Sequence, residues 1–315
     1  MRTTVHEPLE FTVLADGLGF PEGPVFDDDG GVLVVDIDGG RVVRVTDGAT
    51  QVVATPGGGP NGMALERGGT AMVANNGGFL WTEVNGIRIP IDHATHTNEP
   101  PGFHGGWMER VDLATGKVTV LHREVEGQPL RGPNDLVFDE VGGVWFTDHG
   151  KGRLQSVDRG ALCYVPPGGE VRRVAFPLLG PNGVGLSPDD RTVYAAETHT
   201  GRLWAWDLEA PGQVRPAGGS LAVRHGGYCV AATPYSFDSL AVEEDGRVAV
   251  GAIADGIVVI TPDGGEADVY PIPGDVTTNI AFGGPDRRRA VITLSRSGRL
   301  VEAAWPRRGL ELHLG

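Results

Sequence analysis

A short phrase is written six times along this chain, and an element repeated from end to end leaves few folds open. It reads Pro21-Glu22-Gly23-Pro24-Val25-Phe26, Pro60-Asn61-Gly62-Met63-Ala64-Leu65 and Pro133-Asn134-Asp135-Leu136-Val137-Phe138. It returns as Pro181-Asn182-Gly183-Val184-Gly185-Leu186, Phe237-Asp238-Ser239-Leu240-Ala241-Val242 and Thr278-Asn279-Ile280-Ala281-Phe282. Each copy places one oxygen-bearing side chain ahead of a small or apolar run. A second β-type run follows each time, as in Val32–Asp36, Ala71–Asn75, Val144–Asp148 and Val193–Glu197. A glycine turn and a third, alternating run come next, for example Gly40–Val45 and Gly201–Trp206.

Short strands separated by turn residues indicate a sandwich, barrel or propeller. A repeat of roughly 40–50 residues holding three or four strands selects the propeller. Successive phrases lie 39 residues apart from Pro21 to Pro60, 48 from Pro133 to Pro181 and 56 from Pro181 to Phe237. The expectation is an all-β chain, a single six-bladed β-propeller spanning residues 1–315. The run Leu9–Leu14 precedes the first phrase as a spare strand. Joined to the last blade, it closes the ring and hides the sheet edges at the seam.

One interval is too long. Pro60 to Pro133 is 73 residues and contains an insertion at about residues 81–107, rich in His, Pro, Asn and aromatics. A long loop in a compact domain is usually functional, and this one is read as a lid or an interface arm. The second option carries the expectation of a homo-oligomer.

The 50 glycines and 23 prolines fall between apolar runs, where they mark turns. A net charge of -15 argues against nucleic acid or an anionic membrane as partner and leaves a small-molecule substrate. Two cysteines, Cys163 and Cys229, without a CxxC pair, give neither a disulfide framework nor a zinc knuckle. Met1–Pro8 has no signal-peptide pattern and no apolar run approaches membrane-spanning length, so the chain is expected to be cytoplasmic.

In a propeller the innermost strand of each blade runs along the central channel. A residue at a fixed place in that strand therefore faces the axis. Glu22, Asn61, Asn134, Asn182, Asp238 and Asn279 hold that place in the six phrases. The donors are all oxygen, with two formal negative charges. Hard oxygen donors suit Ca2+ first, with Mg2+ and Mn2+ as alternatives and Zn2+ least favoured. Any one Asn taken alone reads as a turn residue; six in register read as a metal site.

These phrases, together with Gly142-Gly143-Val144-Trp145-Phe146-Thr147-Asp148-His149-Gly150, resemble the senescence-marker-protein/gluconolactonase/luciferin-regenerating-enzyme family of six-bladed propellers. The resemblance runs from about residue 18 to about residue 311. It implies a calcium ion in the channel and hydrolysis of lactones or related esters. Some members of the family are calcium phosphotriesterases, so a phosphotriesterase-like hydrolase is the alternative on the same site. A ligand-binding propeller with purely structural calcium is the non-enzymatic alternative. The resemblance puts the metal ligands on Glu22, Asn134, Asn182 and Asp238, with Asp238 also the catalytic base or nucleophile. The fifth phrase departs from the family, reading Phe237-Asp238-Ser239 where many relatives have Pro-Asp-Gly.

His149, at the end of a third-blade strand, is read as a reserve general acid or base. Asn61, Asn279, His104 and Arg131 are candidate substrate-binding residues, although Arg131 reads as readily as the partner of a surface carboxylate. His199 and His225 also stand where they can approach the channel mouth. His93 and His96 form only HxxH, without the glutamate of a zinc-protease helix. No Gly-x-Ser-x-Gly elbow supplies a serine nucleophile.

Overall fold

The computed structural model describes residues 1–27, 29–215 and 225–315. Their regular elements are all strands, gathered into six sheets of four or five strands with three small hairpins beside them. Among the described residues no helix is long and apolar enough to cross a membrane. The inner strands are Pro21–Phe26, Pro60–Glu66, Pro133–Phe138, Pro181–Leu186, Phe237–Val242 and Thr277–Gly283. Each packs against the inner strands of both neighbouring blades, and the last meets the first. The result is the six-bladed β-propeller.

The second strand of each blade is apolar without alternation because both of its faces are covered. In Val32–Asp36, Val32 and Val34 join a buried cluster shared with blade six. Leu33 and Val35, on the opposite face, join one shared with blade two. Six such clusters fill the six junctions between blades. Burying each side chain is worth about 1.5–3 kcal/mol, so the ring is held by its junctions.

The seam is closed by Thr12–Ala15, antiparallel to Arg299–Ala304 of blade six. Leu9 and Phe11 pack beside it on the core shared by blades five and six. A second N-terminal strand, Arg2–Val5, runs parallel to Glu266–Tyr270 and covers the outer edge of blade five. No periodic signal in the sequence marks that strand.

The polar residue that ends each of the first four second strands fastens the start of its own inner strand. Asp36 accepts from Phe20 N at 3.0 Å, and Asn75 from Gly59 N at 2.9 Å. Asp148 accepts from Arg131 N at 3.0 Å and Gly132 N at 2.5 Å, and Glu197 from Leu179 N at 2.7 Å. These bonds fix the height at which the first four phrases enter the channel.

The insertion is more ordered than its sequence suggested. Thr82–Val84 and Ile87–Ile89 form a hairpin around Asn85 (φ 53°) and Gly86 (φ 78°). Both turn residues are left-handed, which Asn-Gly accepts at little steric cost. One side is tied to blade one by Arg88 on Asp38, 2.7 Å, and by Trp81 tilted on Phe20. The other side is tied to blade three, where Asn98 N donates to Gly152 O at 3.1 Å and Gly152 N to Asn98 Oδ1 at 2.7 Å. The segment therefore spans from blade one to blade three.

Candidate metal and substrate site

Every inner strand carries the same β-bulge, and the bulge makes the ring. Pro21 pairs with Asp36 while Val25, four residues on, pairs with Leu33, three residues back. Pro133/Leu136, Pro181/Val184 and Phe237/Leu240 show the same slip, and so do the second and sixth blades. A bulge leaves residues outside the ladder and re-aims their side chains. In blades three, four and five the freed residues are the second and third of the phrase; in blades two and six only the second is freed, and in blade one the slip falls just after Glu22. The departure at Phe237-Asp238-Ser239 keeps the bulge, and Ser239 Oγ donates to Asn182 Oδ1 at 3.3 Å.

Strand pairing corrects the sixth phrase by one residue. Thr277 pairs with Leu294 as Pro21 pairs with Asp36, so Thr278 holds the second place and Asn279 the third. The second-place residues Glu22, Asn61, Asn134, Asn182, Asp238 and Thr278 line one cavity of about 370 Å3. Asn279 instead lies one level deeper with Asp135, beside a separate cavity of about 140 Å3. It reaches the ring indirectly, donating from Nδ2 to Glu22 Oε2 at 2.8 Å. Close approach between neighbouring inner strands requires glycine at three of the third places, Gly23, Gly62 and Gly183. A Cβ on Gly62 would stand 2.4 Å from Asn134 O, and one on Gly183 2.4 Å from Leu240 N. The deeper end of the channel is crossed by the C-terminal segment, where Leu310 N bonds Val242 O and Gly315 N bonds Leu65 O.

The ring is electrostatically unbalanced. Glu22 is 3% exposed, and burial pushes its carboxyl up. Burial also pushes Asp238 well above the usual carboxylate range, with the Glu22 charge adding to it. Asp135, beneath them, is pushed up to about 7 by burial and by Glu22. No cation stands among the groups that set these three values. Asn134 Oδ1 is buried with no hydrogen-bond partner. Two carboxylates and a free amide oxygen converging without a counter-charge fit a hard cation. The donor set is amide-rich: among the described residues no group of three or more His, Cys, Asp or Glu side chains stands at ligating spacing.

His149 and His199 line the same cavity, their rings edge to face at 5.5 Å. His149 Nδ1 lies 3.2 Å from Gly150 O, an acceptor, so Nδ1 carries the proton and Nε2 the lone pair. Burial, with His199 adding, lowers its pKa to about 4. The imidazole is a weaker base than the sequence reading assumed.

Besides Asn279, two substrate-binding expectations are not met. Arg131 does not line the cavity. Its guanidinium is held by Glu99 at 2.7 Å and Asp158 at 2.9 Å, and it lies over Phe103 at 4.8 Å. Arg153 shares both carboxylates, so Arg131 clamps the insertion to blade three. His104 is exposed and outside the cavity. The chain there turns down over Leu130, whose carbonyl a Cβ on Gly105 would meet at 2.8 Å. His225 is likewise elsewhere, packed edge-on against Trp204 and Trp206.

Sequence reasoning missed Lys151. It is 1% exposed and lines the cavity, its Nζ donating to Gly78 O at 2.7 Å and lying 4.0 Å from the Phe79 ring centre. Burial lowers its pKa to about 7. Its partners are more than seventy residues away in the chain, so no local motif announces it.

Sequence comparison agrees with this architecture. Residues 20–296 match the model of the SMP-30/gluconolactonase/LRE-like region, and the chain belongs to that family. The gluconolactonase of Zymomonas mobilis is 25% identical over 89% of this chain and 77% of its own length. The diisopropyl-fluorophosphatase of Loligo vulgaris is 24% identical over 98% of this chain and 96% of its own. Lactonohydrolase oryL of Aspergillus oryzae is 29% identical over 56% of this chain, which spans only 45% of that protein. Among solved structures, the calcium-binding protein regucalcin of Agrobacterium tumefaciens superposes with a TM-score of 0.73 at 21% identity, covering 99% of this chain and 98% of the other.

Proposed function

We propose that this chain is a divalent-metal-dependent hydrolase that opens a lactone or related ester in the cavity above the ring. The observation that carries the reading is the unbalanced ring itself: buried Glu22, half-buried Asp238 and the unpartnered Asn134 Oδ1 line one cavity roomy enough for a small molecule. Glu22, Asn134, Asn182 and Asp238 would hold the cation, Ca2+ by donor type, with Mg2+, Mn2+ and Zn2+ as alternatives. When bound, it supplies positive charge to the carbonyl oxygen as negative charge develops there.

The chain's own residues do the rest. The Asp238 carboxylate takes a proton from water as the water oxygen bonds to the carbonyl carbon. The ring C–O bond then breaks, and the proton passes to the departing alkoxide, giving the hydroxy acid. Direct attack by Asp238, followed by hydrolysis of the acyl-enzyme, is the other order of events. Neutral His149 offers its Nε2 lone pair as a hydrogen-bond acceptor for water or a substrate hydroxyl. The insertion, bridging blades one and three, excludes water from the mouth and acts as a lid.

The test is hydrolysis of aldonolactones, aromatic lactones and phosphotriesters by purified protein, with and without chelator. Chelator-sensitive lactone opening supports the reading. Activity on phosphotriesters alone would favour the phosphotriesterase alternative, in keeping with the full-length similarity to the Loligo protein. Calcium binding with no turnover of any class would leave a ligand-binding propeller.

A further inference from the structure

The cavity has two unlike halves. Its floor is the ring of carboxylates and amides; its walls are mainly hydrocarbon, with His93, Thr198, His199 and Arg296 among them. Phe79, Ile89, Pro90 and Ile91 come from the insertion and its approach, and Phe20, Ile37, Ile253 and Val276 face in from blades one, five and six. Of the polar groups on the insertion side, three are already engaged, while Asn76 Nδ2, buried without a partner, and the imidazoles of His149 and His199 stand nearer the ring. Asn98 Oδ1 accepts from Gly152 N at 2.7 Å, and Asn76 Oδ1 from Gly78 N at 2.8 Å. Lys151 Nζ is held by Gly78 O and Asn76 Oδ1 and lies over the rings of Phe79 and Phe103.

We infer that the preferred substrate is a lactone bearing a short alkyl or aryl substituent, bound with the substituent under the insertion, and that a polyhydroxylated sugar lactone is disfavoured. The inference rests on the lactone-hydrolase reading and names its substrate class. A sugar lactone presents three or four hydroxyls. Those turned toward Ile89, Pro90 and Ile91 lose water and find no partner, and each unmade bond weakens binding. An alkyl arm in the same space loses nothing and gains the transfer of its surface from water. The volume of about 370 Å3 sets the upper size. It lies at the small end for ligand pockets, matching a five- or six-membered ring with a chain of a few carbons.

The residues that decide this preference are Ile89 and Ile91. Both are half-buried, Ile89 at the end of the hairpin and Ile91 just after it, and stand outside the six clusters between blades. Substitution there leaves the propeller core alone. A Phe79 variant would be ambiguous, because Phe79 also covers Lys151.

The test compares kcat/KM for γ-butyrolactone, γ-heptanolactone, γ-nonanolactone and glucono-1,5-lactone, in the wild type and in the double variant Ile89→Ser, Ile91→Asn. Expected are a rise of about fourfold per added methylene until the cavity is full, gluconolactone the poorest, and a flattened slope in the variant. A parallel calorimetric titration uses the corresponding alkyl γ-lactams, which resist opening. If the lactams bind with the chain-length slope while no lactone is opened, the apolar subsite stands and the hydrolase reading fails. If lactones are opened with no slope, or gluconolactone is preferred, the subsite is overturned and the hydrolase reading stands. If the lactams do not bind and no lactone is opened, both fail.

Discussion

Asn279 Nδ2 donates to Glu22 Oε2 at 2.8 Å across 257 residues of sequence, joining the last inner strand to the first. Gly23 N holds the same oxygen at 2.9 Å. The bond joins the two ends of the propeller at its axis and orients a proposed metal carboxylate. Asn279→Ala leaves a buried carboxylate oxygen short of one donor, at a cost of about 1–3 kcal/mol. Thermal unfolding of metal-free protein should show this loss. Calcium affinity, measured by titration, should fall with it, because Glu22 is then free to turn away. An unchanged melting temperature would mean the contact carries no weight at the seam.

Much of the ring was legible because Pro opens the phrase in four of its six copies, with Gly two residues on in three of them. The sixth copy lacks both landmarks. Thr277-Thr278-Asn279 therefore aligned on its only amide, one residue out of register, and pairing with Leu294 was needed to place Thr278 in the ring. The closing strand was legible as a spare apolar run, whereas Arg2–Val5 is exposed on both faces and carries no pattern. The hairpin in the insertion had a readable signal, Asn85-Gly86 between β-branched residues, which the surrounding His, Pro and Asn obscured. Arg131 was legible as the partner of a carboxylate but not as a clamp on Glu99 of the insertion, and Lys151 was not legible, since the oxygens that hold it come from the neighbouring blade. Their roles follow from assembly, which no local window contains.

The lowered pKa of His149 has consequences for both stability and rate. Its folded value of about 4 lies below the unfolded value near 6.5. Between these two, the unfolded chain binds the proton and the folded one does not, so stability rises with pH across that window. The contribution is complete above pH 6.5 and lost as pH falls through about 4. Denaturant unfolding between pH 4 and 6.5 should show a smaller slope in His149→Asn than in the wild type. The rate should show no limb near pH 6.5 that disappears with this substitution. A limb there that His149→Asn removes would restore the histidine as base.

Arg88 meets Asp38 through both Nε and Nη2, each at 2.7 Å, and this is the hairpin's ionic tie to blade one. The arginine is half exposed, so the pair contributes less than about 1 kcal/mol to folding. Its weight should fall on the lid. Arg88→Ala should move the melting temperature little while raising KM severalfold for substrates that reach the insertion. High salt should do the same to the wild type. Equal KM in wild type and variant across the lactone series would show that the hairpin stays in place without the tie.

Asp238 is proposed to act both as ligand and as proton acceptor, and a single substitution separates the two. Asp238→Asn keeps an oxygen that can ligate calcium but removes the carboxylate that takes the proton. It also relieves the repulsion from Glu22 that helps to push the Asp238 carboxyl up. The variant should therefore fold at least as well as the wild type in chelator, where two carboxylates otherwise repel each other in the ring without a cation. Bound calcium, measured by elemental analysis after dialysis, should persist, though with lower affinity, since one formal charge is lost. Turnover should fall by at least about a hundredfold, the lower range for loss of general base catalysis. Asp238→Ala removes ligand and acceptor together and should lose both metal and activity. If Asp238→Asn binds calcium and opens lactones at the wild-type rate, the carboxylate is only a ligand, and another group in the cavity takes the proton.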